Sequence, residues 1–281
     1  MRKFPLKISV FIFLAAITFS SSLYAQYYYK DIMSTNKENN EFSILKNDNI
    51  KYIKISSFDE NDQPSKGFFC EKRINKNFSQ SKLMTNSNIT GESLLITDYN
   101  NNGDVIKSTT TTPHSTNTVE YNYDSTGKIN LIQTHTIAEG DSNGITETHE
   151  YIYENGKPVK MLRKKYNSLI STITFIADEK GNIIEEDPSG NSMDKKYFYY
   201  YDDKSRLTDV VHYNPVAQRL LPDYMFEYAN GNKPDKMISV DETGRNYFIW
   251  RYAYDNKKLP EIQKCYSKEK QLLGTIQFEY Q

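Results

Sequence analysis

Aromatic and aliphatic residues recur at every second position along most of this chain. Val119, Tyr121 and Tyr123 form one such stripe, and Tyr197, Tyr199 and Tyr201 another. Tyr224, Phe226 and Tyr228 repeat the pattern, as do Ile276, Phe278 and Tyr280. Successive side chains of a strand point to opposite faces, so each stripe predicts a strand with one aromatic face. Each stripe runs into a short Asp, Asn or Gly cluster and then an aliphatic residue, the order expected of a strand, a tight turn and a returning strand. Asn155-Gly156 and Asn230-Gly231 are the pairs favoured in tight hairpins.

The stripes are spaced like a repeat. Anchor positions fall at 99, 123, 153, 177, 201, 228, 254 and 280, in steps of 24, 30, 24, 24, 27, 26 and 26 residues. A unit of that size holds two strands and two turns and is too short for a strand–helix–strand unit. The longer steps place extra loop at Ala138–Gly144 and Asn214–Pro222. The expected fold is all-β, an antiparallel meander of hairpin repeats in a curved or rolled sheet. The half-unit at Phe278–Tyr280 could close that sheet on itself. From about residue 197 both faces are loaded, with Phe198 and Tyr200 opposite Tyr199, and Tyr247 and Ile249 opposite Phe248, Trp250, Tyr252 and Tyr254.

Residues 26–94 are less regular. Gln26–Asn40 reads as a loose arm, or as a first strand and a loop. Ile50–Phe58, Gly67–Arg73 and Glu92–Asp98 read as strands, and the serine-rich Asn75–Asn88 as loop. No helix of three turns is evident. No linker separates two cores, so 26–281 is expected to be one domain, its repeats occupying 95–281.

The first 25 residues have another character. Arg2, Lys3 and Lys7 precede an apolar run from Ile8 to Ala16, and Leu23-Tyr24-Ala25 precedes Gln26. This is the pattern of a secretory signal peptide cut after Ala25, too short and too polar at its end for a membrane span. The expected address is the periplasm, the cell surface or the medium. Removing the segment takes the formal net charge from -1 to about -4. A mildly acidic chain whose densest basic cluster is Arg163-Lys164-Lys165 does not fit a nucleic-acid binder. That cluster reads as a solvated strand end. An exported compartment would permit a bridge between Cys70 and Cys265, and two separately buried thiols fit as well.

The repeat resembles the YD repeats of the Rhs family: an aromatic, any residue, Tyr-Asp, two residues, Gly, a basic residue and an aliphatic. Tyr121-Asn-Tyr123-Asp124-Ser-Thr-Gly127-Lys-Ile129 matches throughout. Glu154 replaces the Asp in the next unit, Ala177 replaces the Tyr in another, and Ser205 replaces the Gly in a third. The resemblance covers roughly residues 95–281. It implies strand-rich spirals or shells in cell-surface and toxin-associated proteins, with tyrosines that build and no catalytic residues. The signal peptide ending in Ala-Gln and the Asn/Lys/Tyr-rich chain after it also resemble exported proteins of the Bacteroidota.

Candidate chemistry is sparse. His135 and His149 flank the Asp141–Gly144 loop about its midpoint and could oppose each other on adjacent strands, with Glu147 on the face of His149. Asp98, Asn100 and Asn102 before Gly103 match the start of a calcium loop, but the twelfth position is Thr109 rather than Glu. The same residues suit a hairpin turn. Glu185-Glu186 and Asp202-Asp203 are expected to point to opposite faces and so to form no acid–base pair. Tyr200, Trp250 and Tyr252 are the candidate binding aromatics. No motif implies a cofactor. The expected function is structural or binding, toward a glycan or an envelope protein. The alternatives are a carbohydrate-active hydrolase with two carboxylates converging beside Trp250, or a scaffold for a separately encoded surface or toxin partner.

Overall fold

The computed structural model describes residues 28–189, 194–229, 231–241 and 244–281. The expected signal peptide, 1–25, lies outside them. One helix comes first, α1 (Tyr29–Asn47). Then follow β1 (Tyr52–Phe58), β2 (Phe69–Ile74), β3 (Gln80–Ser87), β4 (Gly91–Tyr99), β5 (Val105–Thr111) and β6 (Ser115–Tyr123). The next six are β7 (Ile129–Ala138), β8 (Ile145–Glu154), β9 (Lys157–Lys165), β10 (Ser168–Ala177), β11 (Ile183–Ser189) and β12 (Tyr197–Tyr201). The last six are β13 (Leu207–Asn214), β14 (Arg219–Glu227), β15 (Lys236–Val240), β16 (Tyr247–Tyr254), β17 (Pro260–Tyr266) and β18 (Leu272–Tyr280).

Each strand pairs antiparallel with the next, and β1 pairs with both β2 and β18. The meander therefore closes into an 18-stranded β-barrel rather than an open curved sheet. Closure at Ile53–Tyr280 is made by the last stripe, and the terminal Gln281 exchanges backbone hydrogen bonds with Tyr52. The serine-rich stretch expected to be loop is mostly β3, with only Asn75–Ser79 turning. Alternation of small polar with larger residues still puts Ser81 fully inside and Lys82 outside. Residues 52–94 thus belong to the same ring as the repeats.

The repeat has a structural cause. At Tyr99, Tyr123, Tyr153, Ala177, Tyr201 and Tyr254 the pairing with the next strand slips by one residue. Such a bulge bends the strand and interrupts the ladder. The anchor tyrosine repairs the interruption one hairpin back. Tyr123 donates its hydroxyl to the Val105 carbonyl at 2.7 Å, Tyr153 to Ile129 at 2.8 Å, and Tyr201 to Ile183 at 2.8 Å. Tyr228 reaches Leu207 at 2.7 Å, Tyr254 reaches Pro234 at 2.9 Å, and Tyr280 reaches Pro260 at 2.6 Å. Each acceptor lies just after the turn of the preceding unit. A buried carbonyl left unpaired would be costly, and the phenol satisfies it while its ring fills the wall.

The residue after the anchor builds the turn. Asp124 Oδ1 accepts the backbone N–H of Thr126 and of Lys128, at 2.8 and 3.0 Å. Asp202 and Asp255 do the same for the residues two and four ahead. Three residues past the Asp the backbone takes positive φ, at Gly127 (81°) and Gly181 (91°), and less comfortably at Ser205 (57°) and Lys258 (64°), where the Gly is replaced. These turns gather at one end of the barrel, called here the tyrosine end.

The core lies inside. Tyr99, Tyr121, Tyr151, Phe175, Tyr197 and Tyr199 are buried there with Val105, Ile129, Ile173 and Ile183. The outer face carries cross-strand ion pairs, among them Lys54–Glu279 and Lys107–Glu120.

Candidate functional site

Where the sequence suggests a loose arm, α1 enters the barrel. Its 19 residues span about 28 Å. The sequence carries no start signal for it. Tyr28 stands at the N-cap and makes no capping bond with its side chain, whereas Ser, Thr, Asp or Asn would do so locally. The cap comes from the wall. Glu186 of β11 accepts the backbone N–H of Tyr28 at 2.8 Å on one carboxylate oxygen. Its other oxygen accepts the N–H of Tyr29 at 2.9 Å and the Tyr199 hydroxyl at 2.8 Å. Glu186 is fully buried. Burial pushes its carboxyl up to about 7, against the opposing pull of those three donors. The helix N-terminus carries a partial positive charge that suits a carboxylate there.

A second contact lies beside the first. His149 of β8 sets Nδ1 against Asp31 Oδ2 at 2.6 Å and Nε2 against Glu147 Oε1 at 3.0 Å. Glu147 also receives Arg163 of β9 through Nε at 2.9 Å and Nη2 at 3.1 Å. Arg163 Nη1 continues to Asp194 at 3.1 Å, and Asp194 accepts from the Tyr28 and Ser171 hydroxyls. Tyr151 donates to the Tyr28 carbonyl and to Asp31, both at 2.9 Å. Burial works against a charge on His149, but the Asp31 and Glu147 carboxylates outweigh it and raise the imidazole to about 9. Burial likewise opposes the Glu147 charge, yet the hydrogen bonds from His149 and Arg163 bring that carboxyl down to about 2.

Aromatic packing holds the rest of the helix. Phe42 stacks on Tyr99 with ring centroids 3.4 Å apart and meets Phe78 edge-on. Tyr29 packs against Phe175 and Tyr199 and lies beside Tyr201 at a shared cleft. Those three residues flank Ala177, the one anchor without a ring, and the helix supplies the missing tyrosine. Between α1 and the turns after β12 and β14 lies a cleft of about 340 Å³, lined by Tyr29, Met33, Tyr201, Arg206, Leu207 and Tyr228. Farther round, Tyr224, Phe226, Tyr252 and Phe278 of β14, β16 and β18 are half-buried on the inner wall, in contrast to the buried rings beside the helix.

The site residues expected from the sequence are dispersed. Tyr200 stands on the outer face, 48% exposed, while Trp250 and Tyr252 lie on the inner side of β16, with Trp250 buried, so the three share no surface. His135 and His149 do not oppose each other. The β7–β8 hairpin sets His135 opposite Thr146 and His149 opposite Ile132, which leaves His135 outside and His149 inside. The partner of His135 lies three residues from the one a loop centred on 142 would give, an odd shift that puts the two imidazoles on opposite faces. Among the described residues no group of three or more His, Cys, Asp or Glu could hold a metal ion. Asn100 Oδ1 accepts the N–H of Asn102 and of Asp104, and Asp98 accepts from Gln80, so these residues form the hairpin turn.

Cys70 and Cys265 are free, buried thiols on β2 and β17. Three strand spacings part them, about 14 Å, beyond the reach of a bridge. Burial raises both thiols to about 12. Arg163, expected to be solvated, points inward, while Lys164 pairs with Glu150 outside. Glu185 and Glu186 do face opposite ways. The feature missed in the sequence is Glu186: alternation groups it with Ile184, which is exposed, and the bulge between Ile183 and Glu185 is what turns it inward.

No family model matches this chain, and no curated protein matches it. Among solved structures it is similar to a porin-like protein from Bacteroides uniformis ATCC 8492, at 10% identity over 83% of this chain and 98% of that one, with a TM-score of 0.38. It is also similar to TcdB2-TccC3-TEV, at 10% identity over 75% of this chain and 12% of that one, with a TM-score of 0.25. TcdB2-TccC3 without its hypervariable C-terminal region gives 10% identity and a TM-score of 0.24. The chain thus spans about an eighth of the length of the TcdB2-TccC3 chains it matches.

Proposed function

We propose that this chain is an exported, non-enzymatic binding barrel of the cell envelope, built from YD-like repeats, whose inner wall receives its ligand. The half-buried rings of Tyr224, Phe226, Tyr252 and Phe278 carry this reading, because they present aromatic faces to the interior on the side away from the buried helix contacts. Aromatic faces of this kind suit a sugar ring or an apolar side chain, so a glycan or an envelope protein segment fits the wall. The outer face favours water over lipid. Ion pairs such as Lys54–Glu279 and Lys107–Glu120 interrupt its apolar residues, whereas a membrane barrel carries a continuous apolar band.

The non-enzymatic reading rests on occupancy. The carboxylates that converge inside, Asp31, Glu147, Asp194 and Glu186, each accept donors that hold α1 or the wall. They lie at the helix N-terminus rather than beside Trp250. Expression of the full chain with a C-terminal tag should yield an exported protein beginning at Gln26. Titration of that protein with oligosaccharides from its own envelope should change its aromatic fluorescence, and Tyr252→Ala should weaken the response at least tenfold. A chain retained with its first 25 residues, or a response untouched by the substitution, would sink the reading.

A further inference from the structure

The N-terminal half of α1 combines ring packing at Tyr28 and Tyr29 with a set of buried polar contacts. Of its residues only Thr35, Phe42 and Leu45 are buried, and two of these three lie in the last two turns. Beyond the rings of Tyr28 and Tyr29, the N-terminal half is tied to the wall by Glu186 and by the cluster around His149. Both ring nitrogens of His149 face carboxylate oxygens, at 2.6 and 3.0 Å. Carboxylates only accept, so both nitrogens must donate, and only the imidazolium has two N–H groups. A neutral ring would turn one lone pair against a carboxylate in a buried site.

We infer that α1 is a latched plug, and that loss of the His149 proton is the event that releases its N-terminal half into the lumen. The groups facing His149 define the latch. Asp31 comes from the helix, Glu147 from the same strand and Arg163 from β9. Tyr28 meets the imidazole edge-on at 5.2 Å, and Tyr151 bonds Asp31 from β8. Asp194 and Glu186 complete the surroundings. With His149 neutral, only Arg163 remains to answer Glu147, and Asp31 on the helix loses the imidazolium it faces. The opposite end stays seated. Phe42 remains stacked on Tyr99, the Ile50 N–H bonds back to the Leu45 carbonyl, and just before β1 Lys51 is bonded to Gln281 and Ile74 of the wall. Asn49, at φ 56°, lies between helix and barrel as the turning point. The raised imidazole, at about 9, sets release on the alkaline side. This inference concerns the helix alone and stands whether or not the wall binds a glycan.

Amide hydrogen exchange on the purified full chain tests it, with rates corrected for the intrinsic pH dependence of exchange. Between pH 6 and pH 9.5 the amides of residues 32–39 should lose protection by up to about two orders of magnitude, while those of residues 44–47 and of β8 hold theirs. His149→Gln, which cannot carry the charge, should show the released pattern at pH 6 and no further loss between pH 7 and 9.5, above the range in which Glu186 titrates. Should His149→Gln fail to fold, Asp31→Asn provides the second arm, since removing one carboxylate should move the loss of protection to lower pH. Protection of residues 32–39 that is independent of pH in the native chain overturns the inference. So does a pH-dependent loss that persists unshifted in Asp31→Asn.

Discussion

Tyrosine does two jobs here that phenylalanine could not. Its ring fills the inner wall, and its hydroxyl satisfies the carbonyl that a bulge leaves behind. Replacing Tyr201 by Phe keeps the ring and strands the Ile183 carbonyl, so it should cost about 1 kcal/mol of unfolding free energy, read from a denaturant melt. The turn aspartates act similarly. Asp124→Ala removes the acceptor for two N–H groups, and a loss of about 1 kcal/mol is expected by analogy with a helix cap. Glu186 differs because its donors are the first amides of α1. Glu186→Ala leaves two buried N–H groups unpaired in the seated state, so the helix should exchange freely without unfolding of the barrel. Hydrogen exchange resolves these outcomes, and equal loss of protection in α1 and β11 would contradict the cap assigned to Glu186.

At the scale of elements, α1 and the wall are coupled by protons. The His149 imidazole is raised from 6.5 to about 9, so its stabilising contribution is complete below about pH 6.5 and is lost as pH rises through 9. Glu186 is raised from 4.5 to about 7, so burying it is easiest when it is protonated, and this advantage fades between those values. Glu147 is lowered from 4.5 to about 2, so its contribution is present above pH 4.5 and is lost toward pH 2. The three signs together place the best seating of the helix near pH 4.5, below which the Glu147 contribution is lost and above which Glu186 must be buried with its charge. A melting temperature followed by circular dichroism from pH 3 to 10 should peak there and fall on both sides. A curve flat from pH 6 to 9.5 would contradict the assignment of His149. The helix was hidden in the sequence for a related reason. Its cap lies 158 residues from Tyr28, and its apolar residues form no stripe that helical periodicity could reveal.

At the scale of the whole molecule, closure removes the edge strands of an open meander. An edge exposes unpaired backbone and invites pairing with other chains. Removing β18 would expose both β17 and β1, so a chain ending before Leu272 should associate into larger species in size-exclusion chromatography. A monomer of native compactness would show that the β1–β18 seam is dispensable. The Ala177 gap connects this scale back to the residue. Tyr29 fills a place in the ring that the repeat left empty, so the barrel and its helix complete one aromatic layer together. Tyr29→Ala should reopen that space at a cost of about 2 kcal/mol, measurable in the same melts.

The strands from Tyr99 onward, the period of the units and the positions of their turns were legible because alternation, Asp and Gly act locally. Tyr-Asp-x-x-Gly is a record of one bulge, one hydroxyl bond and one turn, all set within a single hairpin or between neighbouring hairpins. The mutual exclusion of Glu185 and Glu186 was legible for the same reason. Three other features were decided only in the folded chain. Whether eighteen strands close depends on accumulated twist and register, which no single hairpin encodes. The separation of His135 from His149 came from a shift of the hairpin axis that loop composition does not fix. The seat of α1 depends on His149, Glu147, Arg163 and Glu186 converging from three strands. Long-range electrostatics and capping have no local signature, and that is why the chain's architecture could be read along its length while its candidate site could be seen only across the barrel.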